Sequence, residues 1–367
     1  MANPTLQPRD LETAAQPAGP APVDRKDHTV AHIDPNRQRI WDFVAESPLH
    51  SLWDFQGVPF RTIATRTFHA FNEDNLLSRA AELGYYFLFA LFPTLVSASA
   101  ILGLVARSAT DIYVRLLDYL ALVVPHDAFR MVLETFNQTT ASSTPGKVTF
   151  GLAAAIWSAS VGFSAIQDTL NMVYKVKETR PFWKARGSAM LVTLLLSLIV
   201  TITLGFLLLG TYLSHTVRHH IASQRAGLTY GIGIHLMFDV ITAGMLILLF
   251  AVIYYFAPDI QTKRWRWLTP GAAIGIAGWF LASIALRVYL HYFNSFSVTY
   301  GSLGAVIILL TWFYITGLML LLGAEINSEI EAAAAEMRLK AAGEIPLTTT
   351  IDPAAPIDPN AVAATLS

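Results

Sequence analysis

The sequence contains no cysteine, and this one absence removes disulfides, thiolate nucleophiles, iron–sulfur ligation and cysteine-type zinc sites together. Charge is scarce as well: 14% of the 367 residues are Asp, Glu, Lys or Arg, against about 25% in an ordinary soluble domain. A net charge of −1 leaves no global basic field to recruit nucleic acid and no acidic tail. Enzyme signatures are missing too. There is no His-Glu-x-x-His and no Gly-x-Ser-x-Gly, and "TPGKVT" has Ala141 where a phosphate-binding loop needs its first glycine and Val148 where it needs Ser or Thr. The chain does not open on a short apolar run with a small-residue cleavage site, so the first span is expected to direct insertion itself.

What is present is apolar. Hydrophobic residues make up 54% of the chain, and the mean hydropathy is +0.47. They fall in blocks of about 20, the length a helix needs to cross roughly 30 Å of hydrocarbon. In lipid only helices satisfy their backbone internally at that length. The reading is therefore all-α: a polytopic integral membrane protein with six transmembrane helices at about 83–106, 148–168, 188–212, 232–257, 267–290 and 303–325. Residues 288–324 hold no Asp, Glu, Lys or Arg, too long a stretch for one span, and "HYFNSFSVTYGS" divides it with a polar, aromatic turn.

Proline-rich ends frame this domain, and 1–36 and 343–367 read as disordered tails. The segment 37–82 reads as amphipathic cytoplasmic or interfacial helices. In it Phe60, Ile63, Ala64, Thr67, Phe68 and Phe71 recur at helical spacing, with Arg61, Arg66 and His69 off the stripe. This stripe suits either a membrane surface or the protein's own packing. The 1-2 connection, 107–147, shows helical spacing on both sides of Pro125 and reads as two short amphipathic helices. Basic residues concentrate before the first span, at 175–186, at 263–266 and after the last span. Both termini are therefore expected on the cytoplasmic side.

Few side chains are candidates for chemistry. On the second span Trp157, Ser160, Ser164, Gln167 and Asn171 share one face, with Asp168 beside them. Polar groups at that depth face a cavity or hydrogen-bond to another helix, and both alternatives stand. Glu325 ends the last uncharged stretch, where Gly323 and Ala324 would let a neighbouring helix approach. It is a helix-end anchor, or a carboxyl buried in the bundle as part of the same polar cavity. His235 and Asp239 lie near the external end of the fourth span and Arg287 near that of the fifth, so Asp239 and Arg287 form a candidate external charge pair. Gly271, Gly275 and Gly278 make a small-residue strip for helix packing. Pro93 should kink the first span. His215, His219 and His220 lack a carboxylate to complete a ligand set and read as a solvated loop. No metal, cofactor or catalytic residue is expected.

"AELGYYFLFALFP", "WSASVGFSAIQDTLNMVYKVKETRPFWK", "YYFAPDIQTKRWRWLTPGA" and "TYGSLGAVIILLTWFYITGLMLLLGAEIN" follow in order between about 60 and 330. They resemble the signature blocks of the YihY/BrkB family of bacterial inner-membrane proteins. The resemblance implies six helices with cytoplasmic termini. It brings an association with virulence and serum resistance, a suggestion of lipid or amphiphile transport, and no assigned site residues. An older ribonuclease label for the family is rejected, because the chain has no clustered His/Asp metal site and no broad basic aromatic surface for RNA. Two functions remain in view. One is a transporter or flippase-like protein for an amphiphilic substrate, associated with envelope integrity. The other is a non-transporting subunit that organises envelope proteins or lipids. Expected partners are membrane lipids and a homo-oligomer or envelope proteins, without nucleic acid.

Overall fold

The computed structural model describes residues 35–106, 145–220, 224–292 and 302–346, apart from positions 47, 50, 54, 56 and 261. The 1-2 connection and both proline-rich tails lie almost wholly outside the described residues. Among the described residues every regular element is helical: α1 (Pro35–Glu46), α2 (Phe60–Glu73), α3 (Leu76–Ala106), α4 (Pro145–Val173), α5 (Phe182–His220), α6 (Gln224–Phe256), α7 (Pro270–Tyr292) and α8 (Ser302–Ala341).

Among the described residues, four helical stretches are long and apolar enough to cross a membrane: Phe182–Ser214, Ile232–Phe256, Pro270–Tyr292 and Leu303–Ala341. The other two expected spans fall within α3 and α4, helices of 31 and 29 residues. Outward-facing Leu191, Leu194 and Leu198 on α5 and Leu281 and Ile284 on α7 leave broad apolar surface uncovered. Such surface belongs against lipid.

Local sequence sets the helix ends. Thr269 caps α7 through Oγ1, which accepts the Ala272 amide at 3.1 Å, and Pro270 takes the first helical position, where its missing N–H costs nothing. After α8, Gly343 turns left-handed at φ +75°, and the Glu344 amide reaches back to the Leu339 carbonyl at 2.9 Å. This closes the last turn in the way glycine favours. The same closure ends α4, with Val176 N donating to Asn171 O at 2.9 Å, but the left-handed residue is Lys175, at φ 54°. Asn75, between α2 and α3, is left-handed as well, at φ 50°. The stretch His215–His220 continues α5 as helix, where a loop was expected; an apolar helix already under way extends cheaply across polar residues that form no turn signal.

α8 is the axis. At 40 residues it is roughly 60 Å long at 1.5 Å per residue. It packs against α1, α2, α3, α4 and α7, while α5 and α6 pair beside α4 and α7. The glycine strip works as packing: a Cβ on Gly275 would lie 2.9 Å from the Met319 carbonyl oxygen, and one on Gly278 would lie 2.7 Å from Met319 Sδ. Gly271 meets Gly323 backbone to backbone at the same crossing.

Past Ala324 the helix is sheathed by chain from the other end of the sequence. Ile40, Trp41, Val44 and Ala45 of α1 enclose Ala332, Ala335 and Leu339. Leu49, Leu52, Val58 and Ile63 enclose Ile330, Ala333 and Ala334. On α2 the buried positions are Ile63, Thr67 and Ala70, whereas Phe60 and Phe68 point outward, 70% and 67% exposed. The expected stripe thus splits. Arg66, expected off the face, turns inward to Glu329 at 2.8 Å and Glu336 at 2.6 Å. Burial alone would lower its basicity, but the two carboxylates more than reverse that and raise it.

Candidate functional site: a buried polar band around α8

Where α8 enters its sheath, its side chains change from apolar to polar while remaining buried: Glu325, Asn327, Ser328, Glu329 and Glu331 all lie inside. A buried polar group costs free energy unless it is paired, and most of these are. Asn327 Oδ1 accepts the Gly271 amide at 2.9 Å, and its Nδ2 donates to Thr269 Oγ1 at 2.9 Å. Ser328 Oγ donates to the Val173 carbonyl at 2.8 Å, tying α8 to the end of α4. Glu331 Oε1 forms an ion pair with Arg266 Nη1 at 2.6 Å. One turn before the band, the Tyr254 hydroxyl donates to Leu320 O at 2.8 Å.

Glu325 is the exception. It is 0% exposed, and neither carboxyl oxygen has a hydrogen-bond partner. The charges that act on it most strongly are those of Asp74, Glu329, Lys175 and Glu73. Each cation in this group or bound to it already serves a carboxylate: Lys175 pairs with Asp74, Arg66 with Glu329 and Glu336, and Arg37 with Glu73 at 3.1 Å. Asp74 Oδ2 is also buried without a donor.

The face of α4 is brought together with α5. Ser160 is fully buried, its Oγ donating to Trp157 O at 2.7 Å, and Ser164 Oγ donates to Ser160 O at 3.0 Å. Gln167 Nε2 reaches Ser188 Oγ at 3.3 Å. The Arg186 guanidinium donates to Ser164 Oγ and to Trp157 O, and lies 4.4 Å from the centre of the Trp157 ring. Asn171 joins two loops, donating to Glu178 at 2.9 Å and accepting the Asp259 amide at 2.7 Å. Asp168 lies exposed on an open groove with Asn171, Lys175 and Glu178. Glu325 makes no hydrogen bond to any residue of this face. Asp239 approaches His235 of its own helix, at 3.8 Å, and Arg287 is exposed with no ion pair to it.

Sequence reasoning missed Asp74, Lys175, Asn327, Glu329, Glu331 and Arg266. A usable signal was present, because polar side chains continue past Glu325 on every side of a helix that shows no break. Among the described residues no group of three or more His, Asp or Glu could hold a metal ion.

The comparisons fit this all-helical membrane architecture. A ribonuclease-like protein, by name, of Bacillus subtilis is 30% identical over 68% of this chain and 88% of its own length. A UPF0761 membrane protein of Verminephrobacter eiseniae is 29% identical over 76% of this chain, and one of Stenotrophomonas maltophilia 27% identical over 72%. The matches cover 64% and 59% of those two longer relatives. No solved structure matches the chain. The model of the family described as virulence factor BrkB matches residues 67–344, and the chain belongs to that family of membrane proteins.

Proposed function

We propose that the chain is a six-span bacterial inner-membrane protein, with both termini in the cytoplasm, that moves an amphiphilic, lipid-like substrate without enzymatic chemistry. Support for the topology comes from where the basic segments gather. The α2 arginine, the loop after α4, the loop before α7 and the end of α8 are joined by the pairs Arg66–Glu329, Lys175–Asp74 and Arg266–Glu331. Lys and Arg collected at one end of a bundle mark the cytoplasmic side. The domain reading then becomes a transmembrane unit over 83–330 with α1 and α2 as a cytoplasmic sheath.

The observation that carries the transport reading is Glu325. An unpartnered carboxyl buried at the end of a span costs at least a few kcal/mol on lenient insertion scales, and such groups mark substrate or ion paths. The test is reconstitution into vesicles with fluorescent lipids and a membrane-impermeant quencher. Wild type should move lipid between leaflets, while Glu325→Gln and Asp168→Asn should abolish movement and still insert. Full activity in both variants would discard those residues, and an inactive wild type across lipid classes would discard transport.

A second reading, a subunit that organises envelope proteins or lipids, is favoured by one observation. The polar face of α4 is spent on hydrogen bonds within the helix and to α5, with Ser160 and Gln167 buried. Under that reading the wild type would be silent in the vesicle assay and would copurify with defined envelope partners or as an oligomer.

A further inference from the structure

At the same end of the bundle a narrow cleft of about 40 Å3 opens between the loop before α7, the ends of α4 and α6, and α8. Lys263, Arg264 and Arg266 line it against a single carboxylate, Glu331, with Tyr174 and Tyr255 as walls. Asp259, which acts on Lys263 from outside the cleft, is already engaged: its Oδ2 accepts from Thr179 Oγ1 at 2.6 Å and from the Thr179 amide at 2.8 Å, and its Oδ1 pairs with Arg180 at 3.4 Å. Arg266 serves Glu331, yet its Nε is buried with no acceptor. Neither Lys263 nor Arg264 forms an ion pair among the described residues. Burial, and then the neighbouring Arg180, draw the Lys263 ammonium below the ordinary lysine range. The cleft is thus short of anions.

Its rim is aromatic. Tyr255, Trp265 and Trp267 form a chain of edge-on rings with centroids 5.2 and 5.4 Å apart, and Trp267 is 65% exposed. Amphipathic rings at this level sit among lipid headgroups. We propose that this cleft binds the anionic, phosphate-bearing headgroup of a lipid, with Lys263 and Arg264 as donors and the tryptophan rim against the glycerol and upper acyl region. The proposal deepens the transport reading by naming the headgroup chemistry, but binding does not require movement. A protein that retains lipid here and moves none would fail the transport reading and leave this one standing.

The test uses the full chain in detergent, titrated with phosphatidylglycerol and with phosphatidylcholine, bound lipid being read by native mass spectrometry. Wild type should retain phosphatidylglycerol in preference. Lys263→Gln/Arg264→Gln should weaken that binding about thirtyfold, at about the worth of one basic contact to an anionic lipid for each side chain. Arg61→Ala/Lys184→Ala, which removes the same charge from exposed positions on the same end, should change it less than about threefold, within the scatter of a distributed surface field. Equal loss in the two double variants would assign the attraction to the whole basic surface and overturn the site. An unchanged Lys263→Gln/Arg264→Gln protein would overturn it as well. Inorganic phosphate that stabilises wild type and not this variant, with no preference between the two lipids, would assign the cleft to a soluble phosphate and overturn the lipid.

Discussion

Gly271→Ala should be among the most damaging single-methyl changes in the chain. The added Cβ would run into the Gly323 carbonyl of α8 and lie 2.6 Å from Asn327 Oδ1. Neither obstacle yields easily: one is backbone in a helix, and the other accepts the Gly271 amide at 2.9 Å while Asn327 also holds the Thr269 cap. Overpacking of this kind costs about 1–3 kcal/mol. A buried amide stripped of its acceptor costs about 1–3 kcal/mol more. The helix-propensity gain of alanine over glycine returns only about 0.5–1 kcal/mol. The net loss should be about 1–5 kcal/mol. Gly278→Ala supplies the internal control, because its Cβ would meet the thioether of Met319, a flexible side chain that can move aside. It should cost less than about 1.5 kcal/mol. Unfolding by sodium dodecyl sulfate in mixed micelles, followed by tryptophan fluorescence, gives both numbers. Equal stability of the two variants would refute the backbone contact between α7 and α8.

Two further outcomes follow from the sheath and its loops. Arg66→Met should leave Glu329 and Glu336 without their shared cation and cost about 3–5 kcal/mol, as expected when one partner of a buried pair is removed; hydrogen exchange should then speed up in α2 before α3. Burial works to raise the Asp259 carboxyl, but hydrogen bonds from Thr179 and the charges of Arg180 and Lys263 outweigh it and hold the group below the ordinary carboxylate range. A depressed folded-state value stabilises fully above the unfolded value of about 3.9 and loses that contribution as pH falls through the lower one. Asp259→Asn should therefore flatten the acid limb of the stability profile, which a pH series of melting curves would read.

The sequence revealed local features and missed those that depend on distant pairing. The small-residue strip of α7 and the close approach at Gly323 were legible because sterics at a crossing are written in residue size. The polar face of α4 was legible by period, but its partner was not: Arg186 read as a loop charge, whereas it folds back over Trp157. Asp239 read as a partner for Arg287 because both lie at one depth, but the neighbour one turn away on the same helix was nearer. Asp74 and Lys175 stand 101 residues apart, and no periodicity links them. On α2 a hydrophobic count favoured the phenylalanines, while buried Glu329 and half-buried Glu336 on α8 drew Arg66 inward. Charge pairing across the fold shifted the apolar face rather than following it, keeping Ile63 and Thr67 inside and leaving Phe60 and Phe68 outside.

The Asp74–Lys175 couple joins two reversals of the chain that are both wound the unfavourable way. Lys175 occupies a conformation that costs an ordinary side chain about 1–2 kcal/mol, and Asn75, next to Asp74, occupies the same region more cheaply. One electrostatic clasp therefore fastens two sprung corners, and it does so beside the lone carboxyl of Glu325. Loss of that one pair would therefore be felt at two places far apart in sequence, the α2–α3 bend and the exit from α4.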